Sequence, residues 1–320
     1  MTSGGKQNSD THLWQGRDDT ASEGPSALRW HHRVTPYLPA STSGDVLVGF
    51  CCDEGVRRNG GRLGATAGPG ELRSALANMA WHGKRAIYDA GDVVCHADQL
   101  EAAQTALGQQ IAGILAGGHR PLVMGGGHEV AWGTWQGIAA SDTAGKRIGI
   151  INVDAHFDLR QSLQATSGTS FAQIARDCTS RQTPFNYLCL GVSALANTAA
   201  LFETAKQTGS KWLLDEQFVM WNLSAVERQV NTFLDGVNAV YLTICLDAFP
   251  AAIAPGVSAP AARGIDVAMA EWLIDLICAR NQLMVAEIAE LNPQFDHDHR
   301  TAKLAARLLA RCAGAAHPSA

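Results

Sequence analysis

Six short segments are apolar almost throughout: DVLVGF (45–50), PLVMGG (121–126), RIGIINVDAH (147–156), YLCLGV (187–192), AVYLTICLD (239–247) and QLMVAEIAEL (282–291). No other feature constrains the fold as strongly. A strand with one solvated face alternates apolar and polar residues, whereas a strand buried on both faces does not. Helical patterns separate these runs, near 70–81, 98–117, 196–207, 224–236, 265–279 and 299–313. The second ends at Gly117-Gly118, a helix stop signal. Buried strands alternating with helices predict an α/β fold with a largely parallel sheet covered on both faces. No internal repeat or linker after residue 30 divides the chain. The reading is a flexible N-terminal tail over 1–25, rich in Ser, Gly, Asp and Thr, with Trp14 and Arg17 able to dock it, and one catalytic domain over 26–320.

Several function classes are excluded by composition. The chain has 320 residues and a net charge of −5, which argues against nonspecific nucleic-acid binding. No apolar run approaches the ~20 residues of a membrane span, and the polar start lacks a secretory h-region. Eight cysteines are scattered without a CxxC pair, which reads as reduced thiols in a cytoplasmic protein.

In parallel sheets, functional groups gather just beyond the carboxyl ends of strands. Three such ends carry metal-type ligands: Gly125-Gly126-Gly127-His128-Glu129, Asp154-Ala155-His156-Phe157-Asp158 and Cys245-Leu246-Asp247. Asp154 and His156, two apart in extended backbone, face one point, and Asp158 joins them if the chain turns there. Two carboxylates and an imidazole suit a divalent first-row metal, manganese included. Taken alone, DAHFD also reads as a solvated acidic turn, and His128 as a satisfied core histidine. The glycine-rich end lacks the Lys and Ser/Thr of a P-loop, so a nucleotide is not expected. His297 and His299 read as residues at a helix start rather than as ligands.

These strand ends together resemble the arginase/agmatinase ureohydrolase family, which is marked by GG(G/D)H, DAHxD and SxDxD-type strand ends in this order. The likeness runs from about residue 12 to 293. It extends to LWQGRDD (13–19), DEGVRRNGGRLGA (53–65), HEVAWGTWQG (128–137), DAHFDLR (154–160), TSGTSF (166–171) and APGVSAPAARG (254–264). These segments look like the branch that hydrolyses N-formimidoyl-L-glutamate in histidine degradation. The resemblance implies one arginase-like domain with an eight-stranded sheet and two Mn2+ ions per subunit. It implies hydrolysis to L-glutamate and formamide by a metal-activated hydroxide, and a possible homo-oligomer.

Position by position, the resemblance makes His128, Asp154, His156, Asp158 and Asp247 metal ligands. Asp158 and Glu290 become the catalytic carboxyls, with Glu290 facing the amidine end of the substrate. Arg160, Ser167 and Thr169 become substrate contacts. Arg160 suits a carboxylate because its planar fork grips two oxygens; the plainer reading is a surface salt bridge. Arg57, Arg58, Asn59 and Arg62 form a basic loop that either helps or is simply solvated. No histidine stands near Phe171 to shuttle a proton to the departing amine.

The family has a bridging Asp where this chain has Cys245. Three carboxylates then remain to balance two divalent ions, and a thiolate favours softer metals. The second ion is therefore in doubt. The alternatives are another ureohydrolase activity, a catalytically impaired relative, or a Cys245 that points away as a small buried hydrophobe.

Overall fold

The computed structural model describes residues 14–142 and 145–316. Nine strands form one sheet: β1 (Val34–Pro36), β2 (Gly44–Cys51), β3 (Ala86–Val94), β4 (Arg120–Met124), β5 (Ile148–Val153), β6 (Asn186–Val192), β7 (Lys211–Leu214), β8 (Ala239–Cys245) and β9 (Leu283–Ala289). Their order is β1-β3-β2-β4-β9-β8-β5-β6-β7. Every pairing is parallel. The sheet thus has one strand more than the expected eight and is wholly parallel.

The six apolar runs became β2, β4, β5, β6, β8 and β9, the centre of the sheet. The three strands that the apolar pattern did not mark are peripheral. β1 and β7 are short edges, and β1 ends at Pro36, a residue that an edge tolerates. β3 carries Asp89, Gly91 and Asp92 within its run. Its register against β2 slips between Leu47 and Gly49, where Gly91 adopts φ +78°. The guanidinium of Arg73, 1% exposed, holds Asp89 at 2.8 Å and Asp92 at 2.6 Å across this bulge. Charge pairing across the bulge adds to the apolar contacts of Ile87, Tyr88, Ala90 and Val93 in keeping that strand on the sheet.

Ten α-helices cover the sheet: α1 (Thr20–Glu23), α2 (Glu54–Arg58), α3 (Gly68–Ala77), α4 (Leu100–Ala116), α5 (Val130–Ala140), α6 (Ser170–Ser180), α7 (Ala199–Gln207), α8 (Leu223–Asp235), α9 (Val267–Ala279) and α10 (Arg300–Cys312) among the described residues. Helices α3, α8, α9 and α10 share a core with Leu47, Leu122, Leu242 and Ile244. Helices α4 to α7 share the other with Val46, Val48, Val123 and Tyr241. Alternate residues of one strand therefore feed opposite cores, and each fully buried aliphatic contributes roughly 1.5–3 kcal/mol. This answers why the central runs have no polar face.

Of the expected tail, residues 1–13 lie outside the described residues. Within the rest, Trp14 Nε1 donates to Asp89 Oδ2 at 2.7 Å, and Arg29 and Arg17 both bond Asp19. No helix among the described residues is long and apolar enough to cross a membrane.

Candidate metal centre and active site

Four adjacent central strands, β4, β9, β8 and β5, end beside one another. Beyond those ends lie His128 (after β4), Glu290 (after β9), Cys245 and Asp247 (β8 and the turn after it), and Asp154, His156 and Asp158 (after β5). Residues from four separated segments meet because the strands between β4 and β5 come from late in the chain.

Asp154 is the hub. Its Oδ2 lies 2.8 Å from His128 Nδ1 and its Oδ1 lies 3.5 Å from His156 Nδ1. His128 Nδ1 is also 3.0 Å from Asp158 Oδ2, and His156 Nδ1 is 3.2 Å from Asp247 Oδ2. Two triads have ligand atoms mutually within 4.8 Å: His128, Asp154 and Cys245, and Asp154, His156 and Asp247. Asp154 belongs to both.

The orientation of these groups is as informative as their proximity. His128 Nδ1 is buried and, despite two carboxylates within 3.0 Å, has hydrogen-bond geometry to neither. Asp247 Oδ1 and Glu290 Oε2 are likewise buried without partners among the described residues. Buried polar atoms are almost always paired, so donors converging on a shared point, unpaired with each other, fit a cation between them.

Charge tells the same story. Burial lowers the His128 imidazolium, but the adjacent carboxylates of Asp154 and Asp158 outweigh it and raise its pKa well above the ordinary value. Burial opposes the His156 imidazolium too, yet Asp247 and Asp154 push it up to about 12. Burial and the charge of Asp154 raise Asp158 and Asp247. Burial raises Asp154 as well, but the two histidines more than offset it and hold it below its usual range. The carboxylates demand positive charge, which protons on the imidazoles supply here and which divalent ions would supply better.

Local structure explains how each group is aimed. Asp158 adopts φ +49° and Glu290 φ +70°, left-handed conformations that are rare outside glycine. The turn at Asp158 carries its carboxylate back beside Asp154, and Phe171 N donates to Asp158 O at 3.1 Å to hold it. Glu290 N donates to Gly126 O at 2.8 Å, and Glu290 Oε1 accepts from His128 N at 2.9 Å. Burial, reinforced by the charges of Asp247 and Glu129, pushes Glu290 up to about 8. Gly126 is needed because a Cβ there would lie 1.8 Å from Cys52 O.

A second layer steers His128. Its Nε2 lies 3.1 Å from Thr243 Oγ1, and that hydroxyl donates to Glu287 Oε1 at 2.8 Å. The hydroxyl proton is committed to Glu287, so Nε2 donates to the Thr243 oxygen, and a metal ion at the centre would meet the Nδ1 side of the ring, which faces Asp154. Glu287 also accepts from Tyr241 OH at 2.7 Å and from Thr134. Asn152 Nδ2 supports Asp154 Oδ2 at 3.1 Å. Sequence reasoning missed these three polar groups. Their signals were an acid inside the apolar run LMVAEIA and an Asn two residues before Asp154, on the same strand face.

His128, His156, Asp158, Cys245, Asp247 and Glu290 line a cavity of about 340 Å³. Arg160, Ser167, Asn59, Arg62, Asn197 and Ser258 line its remaining walls. Arg160 is exposed and makes no ion pair among the described residues, so the salt-bridge reading does not hold. Its backbone N donates to Gly168 O at 3.0 Å, which ties it to the segment bearing Ser167. Thr169 is not brought to this cavity. It is 2% exposed, and its hydroxyl is engaged by Thr166 and Gln173, each at 3.0 Å, because it closes the turn that starts α6. Arg57 and Arg58 turn away to Glu54, and Arg58 also reaches Glu101. Arg62 bonds Ser258 O at 3.0 Å and lies over the Phe295 ring. Phe171 packs edge-on against His128, with ring centroids 5.4 Å apart, and stacks on Tyr187. Cys245 does line the cavity, 1% exposed, so it does not point away. Burial and the neighbouring charges of Asp154, Asp247 and Glu290 raise its thiol well above the usual range. His299 pairs with Glu71, outside the cavity lining.

Known proteins share this arrangement of strands. Among solved structures, the formimidoylglutamase from Bacillus subtilis superposes with a TM-score of 0.80 at 19% identity, covering 90% of this chain and 92% of that one. The Trypanosoma cruzi formiminoglutamase, solved with Mn2+, gives 0.74 at 24% identity, covering 85% and 92%. At such identities these two speak for the fold. The formimidoylglutamase of Chromobacterium violaceum is 52% identical over 299 residues, covering 93% of this chain and 96% of the relative. That of Ralstonia nicotianae is 50% identical over 320 residues, covering 96% and 98%. The arginase family model matches residues 44–314, which include all four strand ends of the centre. With relatives half identical across nearly its whole length and a family model spanning its site and every strand but β1, the chain belongs to the arginase family.

Proposed function

We propose that the protein hydrolyses N-formimidoyl-L-glutamate to L-glutamate and formamide, using a divalent metal pair held by His128, Asp154, His156, Asp158, Asp247 and Cys245. The observation that carries the reading is the convergence of unpaired buried donors on Asp154, in a chain half identical to curated formimidoylglutamases. Mn2+ is the metal the family resemblance favours, and a Mn2+-containing structural neighbour is consistent with it.

Bound divalent ions would supply Lewis acidity that lowers the pKa of water towards neutrality. The chain's own residues do the rest. The Arg160 guanidinium, free of competing acids, binds a carboxylate of the substrate through paired N–H donors. Ser167 and Asn59 offer further polar contacts beside it. Glu290 presents an unpartnered Oε2 to the amidine end, and a cationic amidine there draws the carboxyl into its charged form. Asp158, held by its left-handed turn, is positioned to orient the attacking water. Water adds to the formimidoyl carbon, the bond from that carbon to the glutamate nitrogen breaks, and the nitrogen leaves protonated as an amine. No side chain is assigned as its proton donor, since Phe171 lies buried beneath His128.

The test measures formamide release from N-formimidoyl-L-glutamate beside urea release from L-arginine and agmatine, each after incubation with excess divalent metal. Formamide as the dominant product supports the reading. Urea as the dominant product transfers the activity to another ureohydrolase reaction. No turnover with any metal makes the chain a non-catalytic relative.

A further inference from the structure

The two triads around Asp154 differ chemically. Asp154, His156 and Asp247 offer one nitrogen and carboxylate oxygens, a borderline-to-hard set. His128, Asp154 and Cys245 offer nitrogen, oxygen and sulfur. His128 Nδ1, 2% exposed at its side chain and without a hydrogen-bond partner, is an independent sign that this half is aimed at a ligand. Cys245 ends β8 with extended backbone (φ −78°, ψ 126°), so its side chain shares a strand face with Thr243. It lines the cavity together with His128, Asp158 and Asp247. Thiolate sulfur favours zinc and its relatives, whereas manganese prefers oxygen.

Resting on the divalent-centre reading above, we propose that Cys245 makes the His128 half of the centre a thiolate site that selects a thiophilic ion of the Zn2+ class over Mn2+. The Sγ–metal bond forms as the thiol proton leaves to solvent. The Asp247 half keeps an oxygen-rich environment. The centre then holds two unlike positions, and its metal content depends on the relative supply of zinc and manganese.

The experiment uses full-length protein stripped of metal and titrated with Co2+, whose thiolate complexes absorb through sulfur-to-metal charge transfer. A near-ultraviolet charge-transfer band that saturates at one Co2+ per thiolate is the expected result. The band disappears in Cys245→Ser, while the weaker visible cobalt bands remain. Zn2+ displaces it at concentrations at least about tenfold lower than Mn2+ does. In Cys245→Asp that preference falls by about tenfold or more. Visible cobalt bands without charge transfer in the unaltered protein would overturn the thiolate assignment and leave the centre standing. Failure to bind Co2+, Zn2+ or Mn2+ at all would overturn the metal-centre reading, and this inference with it.

Discussion

Thr243→Val removes one oxygen atom from a fully buried position and keeps the shape of the side chain. That hydroxyl makes two bonds: it donates to Glu287 Oε1 at 2.8 Å and lies 3.1 Å from His128 Nε2. The variant leaves Nε2–H without an acceptor inside the protein, and an orphaned buried donor costs roughly 1–3 kcal/mol. Glu287 keeps Tyr241 and Thr134, so loss of its third donor adds only about 1 kcal/mol. The expected destabilisation of the metal-free protein is therefore about 2–4 kcal/mol, read from urea unfolding. The functional effect is separate. Without Thr243 the imidazole is no longer held with Nδ1 towards Asp154, and losses of this kind weaken metal binding about 10- to 100-fold. Calorimetric titration with Mn2+ and Zn2+ measures that loss, and Thr243→Ser, which keeps the hydroxyl, recovers most of it. Wild-type metal affinity in a destabilised Thr243→Val protein would refute the reasoning. It would mean that packing against Phe171 alone orients His128.

Further outcomes follow from the same geometry. Gly126→Ala puts a Cβ 1.8 Å from the backbone oxygen of Cys52, which itself accepts from Gly127 N at 2.9 Å. A loss of about 3 kcal/mol or more in stability is expected, and a melting temperature within a degree or so of wild type would contradict the clash. Burial pushes Glu129 up to about 7 from 4.5. At pH 4 it is mostly neutral in both folded and unfolded chains, so it has little effect. As pH rises from about 4.5 to 7 the unfolded chain ionises first, and the folded state loses up to about 3 kcal/mol, constant at higher pH. Glu129→Gln should thus match wild type at pH 4 and exceed it at pH 8; a gap that does not widen between those values counts against it. Arg160→Ala should raise KM for formimidoylglutamate by roughly 10- to 100-fold with a smaller change in kcat, as loss of a charge-assisted grip worth about 1.5–3 kcal/mol requires. An unchanged KM would remove Arg160 from the substrate site.

Much of the architecture was legible because burial on both faces leaves a plain mark. Runs such as PLVM and AVYLTI have no polar side, so they can only be interior strands of a covered sheet. The ligand types at their ends were legible for the same reason, since the chain must emerge there into a crevice. β3 escaped because Arg73 neutralises its two acids from another element, and no local pattern reports a partner 16 or 19 residues away. Thr169 looked like a substrate contact within TSGTS, but the polar groups of a short turn serve first to close it.

What the sequence by itself determined was chemistry and order: which residues can ligate a cation, that they stand at strand ends, and that sulfur replaces a carboxylate at Cys245. Tertiary structure alone decided which ends are neighbours. The sheet order places β9 and β8 between β4 and β5, so Glu290 and Cys245 meet His128 across more than a hundred residues of chain. Tertiary structure also turned Asp158 and Glu290 inward through left-handed backbone and routed Glu287 through Thr243 to one nitrogen of His128. Propensity and periodicity act over a few residues, whereas a site of this kind exists only once distant segments have been packed into contact.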